Sequence, residues 1–189
     1  MSAGDTAAWA EGLQDWRRRK DAHFAAGQGP VQGEALRDFA GLSYFAPDAA
    51  WRLEAALEPP EAGAAPEFEL ETNTGELRHM ALLGQITLNL PGDAAGDAAR
   101  LSVFAPLGET QPARAFVPFR DATSSGQTYG AGRYIDAPLV WHTPEEATVQ
   151  LDFNMAYHPY CAYGEGWTCP LPPAENRLSQ AVLAGERLP

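Results

Sequence analysis

The chain has 189 residues and a formal net charge of −12 at pH 7. This length suits one domain with a sizeable hydrophobic core, and we expect residues 1–189 to form a single domain. Apolar residues make up 45% of the chain, an ordinary share for a globular protein. The acidic charge disfavours nucleic acid and anionic membrane as partners, because both are bound through basic patches.

The N-terminus lacks the basic stretch and apolar stretch of a secretory signal. The longest apolar runs are also far shorter than the roughly 20 residues that cross a bilayer as a helix. We therefore predict a cytoplasmic protein that binds neither membranes nor nucleic acid. The sequence leaves the oligomeric state open.

The first predicted element is a helix from about Thr6 to Ala26, which carries apolar side chains at near-helical spacing and ends before a glycine. A short second helix completes an N-terminal helical region at residues 5–41. Four consecutive basic residues, 17–20, are most simply a solvated helix face. The alternative is that one of them reaches a carboxylate on the rest of the protein, or an anionic ligand.

From residue 50 the pattern changes to apolar and polar residues in alternation, which is typical of half-buried strands. Asn73-Thr74-Gly75 predicts a hairpin turn, and Gly84 predicts a bend or bulge. We predict a mainly β domain at residues 50–189, an antiparallel barrel or sandwich of about eight strands with the N-terminal α-helix packed against it. A Pro-rich extended segment ends the chain.

Two stretches, residues 116–134 and 151–178, concentrate polar and aromatic side chains. Alternation through residues 147–156 predicts a strand that places Asp152 and Asn154 side by side on its polar face. This face is either solvated or lines a pocket. Asp and Asn are poor strand formers, and their presence late in a strand is the reason to consider a pocket. A concave surface on this face would support the pocket.

The first functional hypothesis is therefore a binding or catalytic pocket for a small polar or anionic molecule at the barrel mouth. Arg133 would hold an anionic group through its planar fork of donors, and Asp152 would act as the acid or base if a reaction occurs. The second hypothesis is a non-catalytic structural module whose polar residues satisfy one another. The predicted ligand-binding residues are Arg120, Asp121, Tyr129, Arg133, Tyr134, Asn154 and Tyr157.

Cys161 and Cys169 allow three interpretations: reduced thiols that pack as small apolar groups, a structural or redox disulfide, or a metal site. A metal site would need His158 and Asp152 to complete its ligands, and the spacing matches no zinc signature. We therefore assign no metal, and the sequence names no cofactor. It also does not determine whether the protein is an enzyme.

The chain resembles the bacterial and archaeal domain of unknown function numbered 1684 (DUF1684). The resemblance rests on WRRRKDAHF at 16–24, LSYFAPD at 42–48, FVPFRDATSSGQTYGAGRYID at 116–136, and the stretch 151–186. It implies a mostly β fold and a shared site, with no reaction attached, and some relatives look secreted or lipid-anchored, which leaves room for a disulfide. The family more often has Asn at the position of His158, which weakens a metal site. By this resemblance the signature positions are Arg120, Asp121, Tyr129, Arg133, Tyr134, Asp152, Asn154, Tyr157, Cys161, Tyr163, Cys169, Glu175 and Asn176.

Overall fold

A computed structural model describes residues 3–60, 67–92, 98–109 and 111–189. It is mainly β with one long N-terminal helix, which confirms the predicted fold class. The helices are α1 (Ala3–Ala25) and α2 (Gly33–Arg37). The strands are β1 (Ser43–Tyr44), β2 (Arg52–Ala56), β3 (Glu67–Glu71), β4 (Leu77–Leu88), β5 (Ala99–Ala105), β6 (Arg114–Phe119), β7 (Arg133–Trp141), β8 (Ala147–Asp152) and β9 (Glu186–Arg187).

Seven strands form one antiparallel sheet in the order β2-β8-β7-β6-β5-β4-β3, and β1 pairs with β9 separately. The sheet curls until Glu58, just past β2, meets Gln85 of β4. Their backbones exchange two hydrogen bonds of 2.8 and 2.9 Å. The sheet is not closed into a barrel along its length, but this bridge joins its β2 edge to β4.

Gly84 makes that bridge possible. The register of β4 against β5 shifts between Leu82 and Gly84, which is the predicted irregularity. Gly84 has φ +150°, and a Cβ atom at this position would overlap the carbonyl oxygen of Glu58. Only a glycine lets the two backbones approach this closely.

The hydrophobic core lies inside the curl. Val149 and Leu151 of β8 are fully buried, as the alternation predicts. The strand ends at Asp152, earlier than the predicted boundary, because the Asp152 carboxylate accepts a hydrogen bond from the backbone N–H of Asn154. That bond caps a single 3₁₀ turn at Phe153–Met155.

Residues 157–188 form a largely irregular segment that contains two 3₁₀ turns and the short strand β9. The segment bridges to Thr72, just past β3, and to Arg120, just past β6. Backbone groups outside a regular ladder need other partners when they are buried. Asn176, in this segment, supplies such partners to the backbones of β5 and β6, which pair with each other at Phe104 and Phe116. Its amide donates to the carbonyls of Ser102 (2.9 Å) and Pro118 (2.7 Å) and accepts from the N–H of Ser102 (2.7 Å).

Helix α1 docks on the β domain largely through cations. Arg17 is buried and donates to the carbonyl of Phe45 at 2.9 Å, and Lys20 pairs with the buried Glu186. Arg18 and Arg19 are exposed and pair with an acid of their own helix. Within the basic run, Arg18 and Arg19 thus belong to a solvated helix face, which is the simpler prediction. Arg17 and Lys20 reach acceptors on the rest of the protein, which is the alternative. No helix in the described part of the chain is both long and apolar enough to cross a membrane.

Candidate functional site

Arg133 and Asp121 form a buried ion pair with an N–O distance of 2.6 Å, and each side chain is only 1% exposed. Arg133 also donates to the carbonyls of Val182 (2.9 Å) and Ala184 (2.5 Å). Burial lowers the pKa of the guanidinium, and the charge of Asp121 opposes this effect. Arg133 therefore holds the C-terminal segment, and its donors are used by protein acceptors.

A cavity of about 280 Å³ lies where β6 passes into the loop that leads to β7. Arg120, at the end of β6, forms a parallel backbone bridge with Arg177 of the C-terminal segment. Two hydrogen bonds make this bridge, from Arg120 N–H to Asn176 (2.9 Å) and from Leu178 N–H to Arg120 (2.8 Å). Neighbours in such a bridge present their side chains to the same face. The cavity is lined by Arg120, Asp121, Ala122, Ser124, Ser125, Arg177 and Leu178.

The charges in this cavity are not balanced. Within the described part of the chain neither Arg120 nor Arg177 forms an ion pair, and the Arg177 side chain makes no hydrogen bond. Arg120 donates to the carbonyl of Gly130, and its buried Nε has no acceptor among the described residues. The one carboxylate of the lining, Asp121, is neutralised by Arg133. Like charges on residues paired across a bridge repel, and a bound anion would offset that repulsion.

The loop that carries the cavity's hydroxyl groups is folded around Asp121. One oxygen of this carboxylate accepts hydrogen bonds from the N–H and hydroxyl of Thr123, and the backbone of Ser124 donates to the Asp121 carbonyl at 3.0 Å. Ser125 has φ +70° and bonds through its N–H to Thr128. A left-handed conformation costs a non-glycine residue about 1–2 kcal/mol, so the surrounding loop maintains it.

A second and larger cleft, of about 670 Å³, lies on the Asp152 face of the sheet. The ladder between β7 and β8 covers only Leu139–Trp141 of β7 and ends at Pro138, which has no N–H to donate. Beyond that point β7 and β8 are the two walls of the cleft. The concavity that would support a pocket on this face is therefore present. The cleft is lined by Arg52, Leu53, Glu54, Arg114, Ile135, Asp136, Pro138, Gln150, Leu151, Asp152 and Met155.

Asp152 lies in this cleft with both oxygens occupied. One accepts from the indole of Trp9 (3.1 Å) and lies 3.5 Å from Arg52, and the other accepts from Asn154. Asn154 is fully buried and also binds the backbone of Asp48, so it faces the interior rather than the cleft. Asp152 is thus separated from the arginine cavity, and the predicted site residues are divided between two places.

The three predicted tyrosines hold the C-terminal segment. Tyr134 donates to the carbonyl of Pro170, and its ring packs edge-on against Tyr157 at 5.7 Å. Tyr157 donates to the carboxylate of Asp136 at 2.9 Å beside the larger cleft, and Tyr129 donates to the carbonyl of Cys161 at 3.4 Å. Burial is the main cause that raises the pKa of each of these tyrosines.

Neither cysteine forms a disulfide. Burial, followed by the neighbouring Cys169 side chain, raises the pKa of Cys161 to about 11. His158 is buried, and its Nε2 accepts from the backbone of Tyr129 at 3.2 Å. No group of three or more His, Cys, Asp or Glu side chains in the described ranges could hold a metal.

Sequence reasoning does not find two central residues, Arg177 and Glu186. Glu186 is buried and accepts hydrogen bonds from Tyr163 (2.6 Å) and the N–H of His158 (2.7 Å) in addition to its pair with Lys20. Both residues lie in a segment without helical or strand periodicity. The only sequence signal for them is their charge, which by itself names no partner.

Comparison with known proteins agrees with this fold. No curated protein matches the sequence. The solution NMR structure of an uncharacterised protein from gene locus rrnAC0354 of Haloarcula marismortui is 34% identical, with 99% of this chain and 98% of that chain covered and a TM-score of 0.73. The sequence profile of a family described as "Protein of unknown function (DUF1684)" matches residues 37–187. The chain therefore belongs to the DUF1684 family.

Proposed function

We propose that this protein binds a small molecule through an oxyanion group, such as a phosphate, sulfate or carboxylate, in the cavity at Arg120 and Arg177. The observation that carries the proposal is the bridged pair of arginines without a carboxylate partner among the described residues. A bound anion would remove the repulsion between the two guanidinium groups. Such a pair is notable on a chain with a net charge of −12, where acidic partners are plentiful.

The rest of the cavity suits the same ligand. Guanidinium groups bind oxyanions through paired, charge-assisted hydrogen bonds, and the hydroxyls of Ser124 and Ser125 add neutral donors. A volume of about 280 Å³ accommodates one oxyanion group with a small substituent. In this proposal Arg133 does not touch the ligand. Its pair with Asp121 positions the loop that carries the two serines.

The proposed activity is binding rather than catalysis. Asp152, the acid or base of the first hypothesis, lines the other cleft. Among the described residues that line the arginine cavity, the one carboxylate is engaged by Arg133, so this lining offers donors and positive charge but no free base. The cytoplasm is the compartment that we propose for this activity.

The test is to measure thermal stability in chloride and in phosphate or sulfate at equal ionic strength, for the native protein and for Arg177→Gln. We expect the anions to raise the melting temperature of the native protein. The variant should need an anion concentration about tenfold higher for the same rise, because the loss of a charge-assisted hydrogen bond weakens binding about tenfold. In chloride alone, Arg177→Gln should be as stable as the native protein or more stable, because the repulsion is removed.

Arg114→Ala, at an exposed position in the other cleft, is the matched control and should keep the anion response. Equal stabilisation of the native protein and Arg177→Gln would exclude this cavity as the site. A clear loss of stability of Arg177→Gln in chloride would instead favour the structural interpretation, in which the polar residues serve only one another.

A further inference from the structure

Cys161 and Cys169 stand at the two ends of a short surface turn, residues 162–168. Neither cysteine forms a disulfide. The Cys169 side chain is close enough to contribute to the raised pKa of the Cys161 thiol. The exposed residues 164–166 lie between them and include two glycines. Because the turn is short and glycine-rich, backbone adjustments within it can bring the two sulfur atoms to bonding distance.

The two thiols differ in access. Cys161 lies on a 3₁₀ turn at Tyr160–Ala162 and is half-buried, whereas Cys169 is only 6% exposed. Cys169 is also held in place, since its N–H donates to the side chain of Asn73 at 2.7 Å. A reagent in solution therefore meets Cys161 first, and Cys169 is placed to react only with a group already attached to Cys161.

We infer that this dithiol is a modification site for small-molecule disulfides, with Cys161 as the entry thiol and Cys169 as the resolving thiol. In the first step the Cys161 thiolate attacks a disulfide RSSR, forms a Cys161–SR mixed disulfide and releases RS⁻. In the second step the Cys169 thiolate attacks Cys161 Sγ, forms the Cys161–Cys169 disulfide and releases the second RS⁻. The two protein protons pass to the two released thiolates, so the protein loses two hydrogens and RSSR becomes two RSH.

Two other uses of this pair fit the site less well. A structural metal needs four ligands, and no third ligand accompanies the two cysteines among the described residues. A redox catalyst needs a thiolate at neutral pH, and the pKa of Cys161 is raised to about 11. Slow, reversible modification is compatible with both observations.

The modification would change how the C-terminal segment is held. Thr72, next to the β3–β4 turn, bridges to Pro170 beside Cys169, and the carbonyl of Cys161 accepts from Tyr129 in the β6–β7 loop. A disulfide would join these two attachment points covalently. We therefore expect the oxidised protein to melt several degrees higher than the reduced protein.

The experiment is incubation of the reduced protein with oxidised glutathione, followed by intact mass and peptide mapping. We expect the native protein to lose two hydrogens, Cys169→Ser to accumulate one glutathione on Cys161, and Cys161→Ser to stay unmodified. The initial rate should rise about tenfold per pH unit between pH 7 and 9, because the thiolate is the nucleophile.

Circular dichroism checks that the variants are folded, and Cys169→Ala replaces Cys169→Ser if the serine variant is not. The inference is overturned if Cys161→Ser is glutathionylated as fast as Cys169→Ser, or if the native protein carries two glutathiones and no internal bond. It is also overturned if the folded native protein stays fully reduced at pH 9.

Discussion

Arg133 shows how one residue can carry a functional pattern in the sequence and a structural role in the fold. Its charge, its neighbours and its place in a conspicuous motif suggest anion binding. In the structure its guanidinium lies 1% exposed between Asp121 and the carbonyls of Val182 and Ala184. An irregular segment cannot satisfy its carbonyls in a ladder, so a buried cation with several donors takes that place.

We expect Arg133→Met to lower the free energy of unfolding by about 3–5 kcal/mol, because it leaves the Asp121 carboxylate buried without its partner. The double variant Asp121→Asn/Arg133→Met should recover part of that loss. Urea denaturation followed by tryptophan fluorescence measures both. Unchanged stability together with lost anion binding would contradict this prediction and restore Arg133 as a ligand-binding residue.

At the scale of elements, the bulge in β4 lets the β2 edge of the sheet pair with β4. Gly84→Ala should lower the free energy of unfolding by about 2–3 kcal/mol, since it adds backbone strain and forces the Glu58 carbonyl away from Gln85. Gly75→Ala is the matched control: φ there is +83°, but a Cβ atom meets nothing within 4 Å. We expect the control to lose only about 1 kcal/mol in the same chemical denaturation series. Equal losses would show that the contact with Glu58 contributes nothing.

Helix α1 depends on a few polar contacts more than on a broad apolar face. Of its apolar side chains, Leu13 and Phe24 are the buried ones in the described part of the helix, while Lys20 reaches the buried Glu186. Lys20→Met should destabilise the protein by about 3–5 kcal/mol by leaving that carboxylate without its cation. It should also expose the helix to trypsin, which limited proteolysis detects. The exposed Arg19→Met variant should have little effect on stability, and similar unfolding of both variants would argue against this docking contact.

At the scale of the whole molecule, His158 links stability to pH. Burial, followed by the charges of Arg133 and Lys20, lowers its pKa to about 3 from an ordinary value near 6.5. Between these values the unfolded chain binds a proton that the folded protein does not. The free energy of unfolding therefore has its full contribution from neutral His158 above about pH 6.5. This contribution is lost progressively as the pH falls towards 3, with a slope of at most about 1.4 kcal/mol per pH unit.

His158→Asn, which replaces the imidazole by a side chain that does not titrate, should remove this part of the pH dependence. The measurement is the free energy of unfolding in urea from pH 7.5 to pH 4 for both proteins. Parallel pH profiles would show that His158 is not the titrating group.

The regular elements were predictable because their signals are local. Alternation of apolar and polar residues defines which side of a strand faces the core, and near-helical spacing defines α1, so the fold class followed from patterns within about ten residues. The hairpin at residues 73–75 and the irregularity at Gly84 also depend on backbone chemistry that is visible in the sequence. The end of β8 was missed because the Asp152 side chain caps a turn, which competes with strand extension.

The site was predictable only in part. The residues 116–134 and 151–178 were recognisable as unusual, but their grouping into one pocket was not confirmed, since Arg133 and Asn154 turn inward and Asp152 lies in a separate cleft. The composition and local periodicity by themselves determined an acidic, mainly β protein with an N-terminal helix. Only the tertiary structure decided that Arg120 and Arg177 are neighbours, because the C-terminal segment that brings them together has no repeating pattern and is held by long-range contacts between buried polar groups.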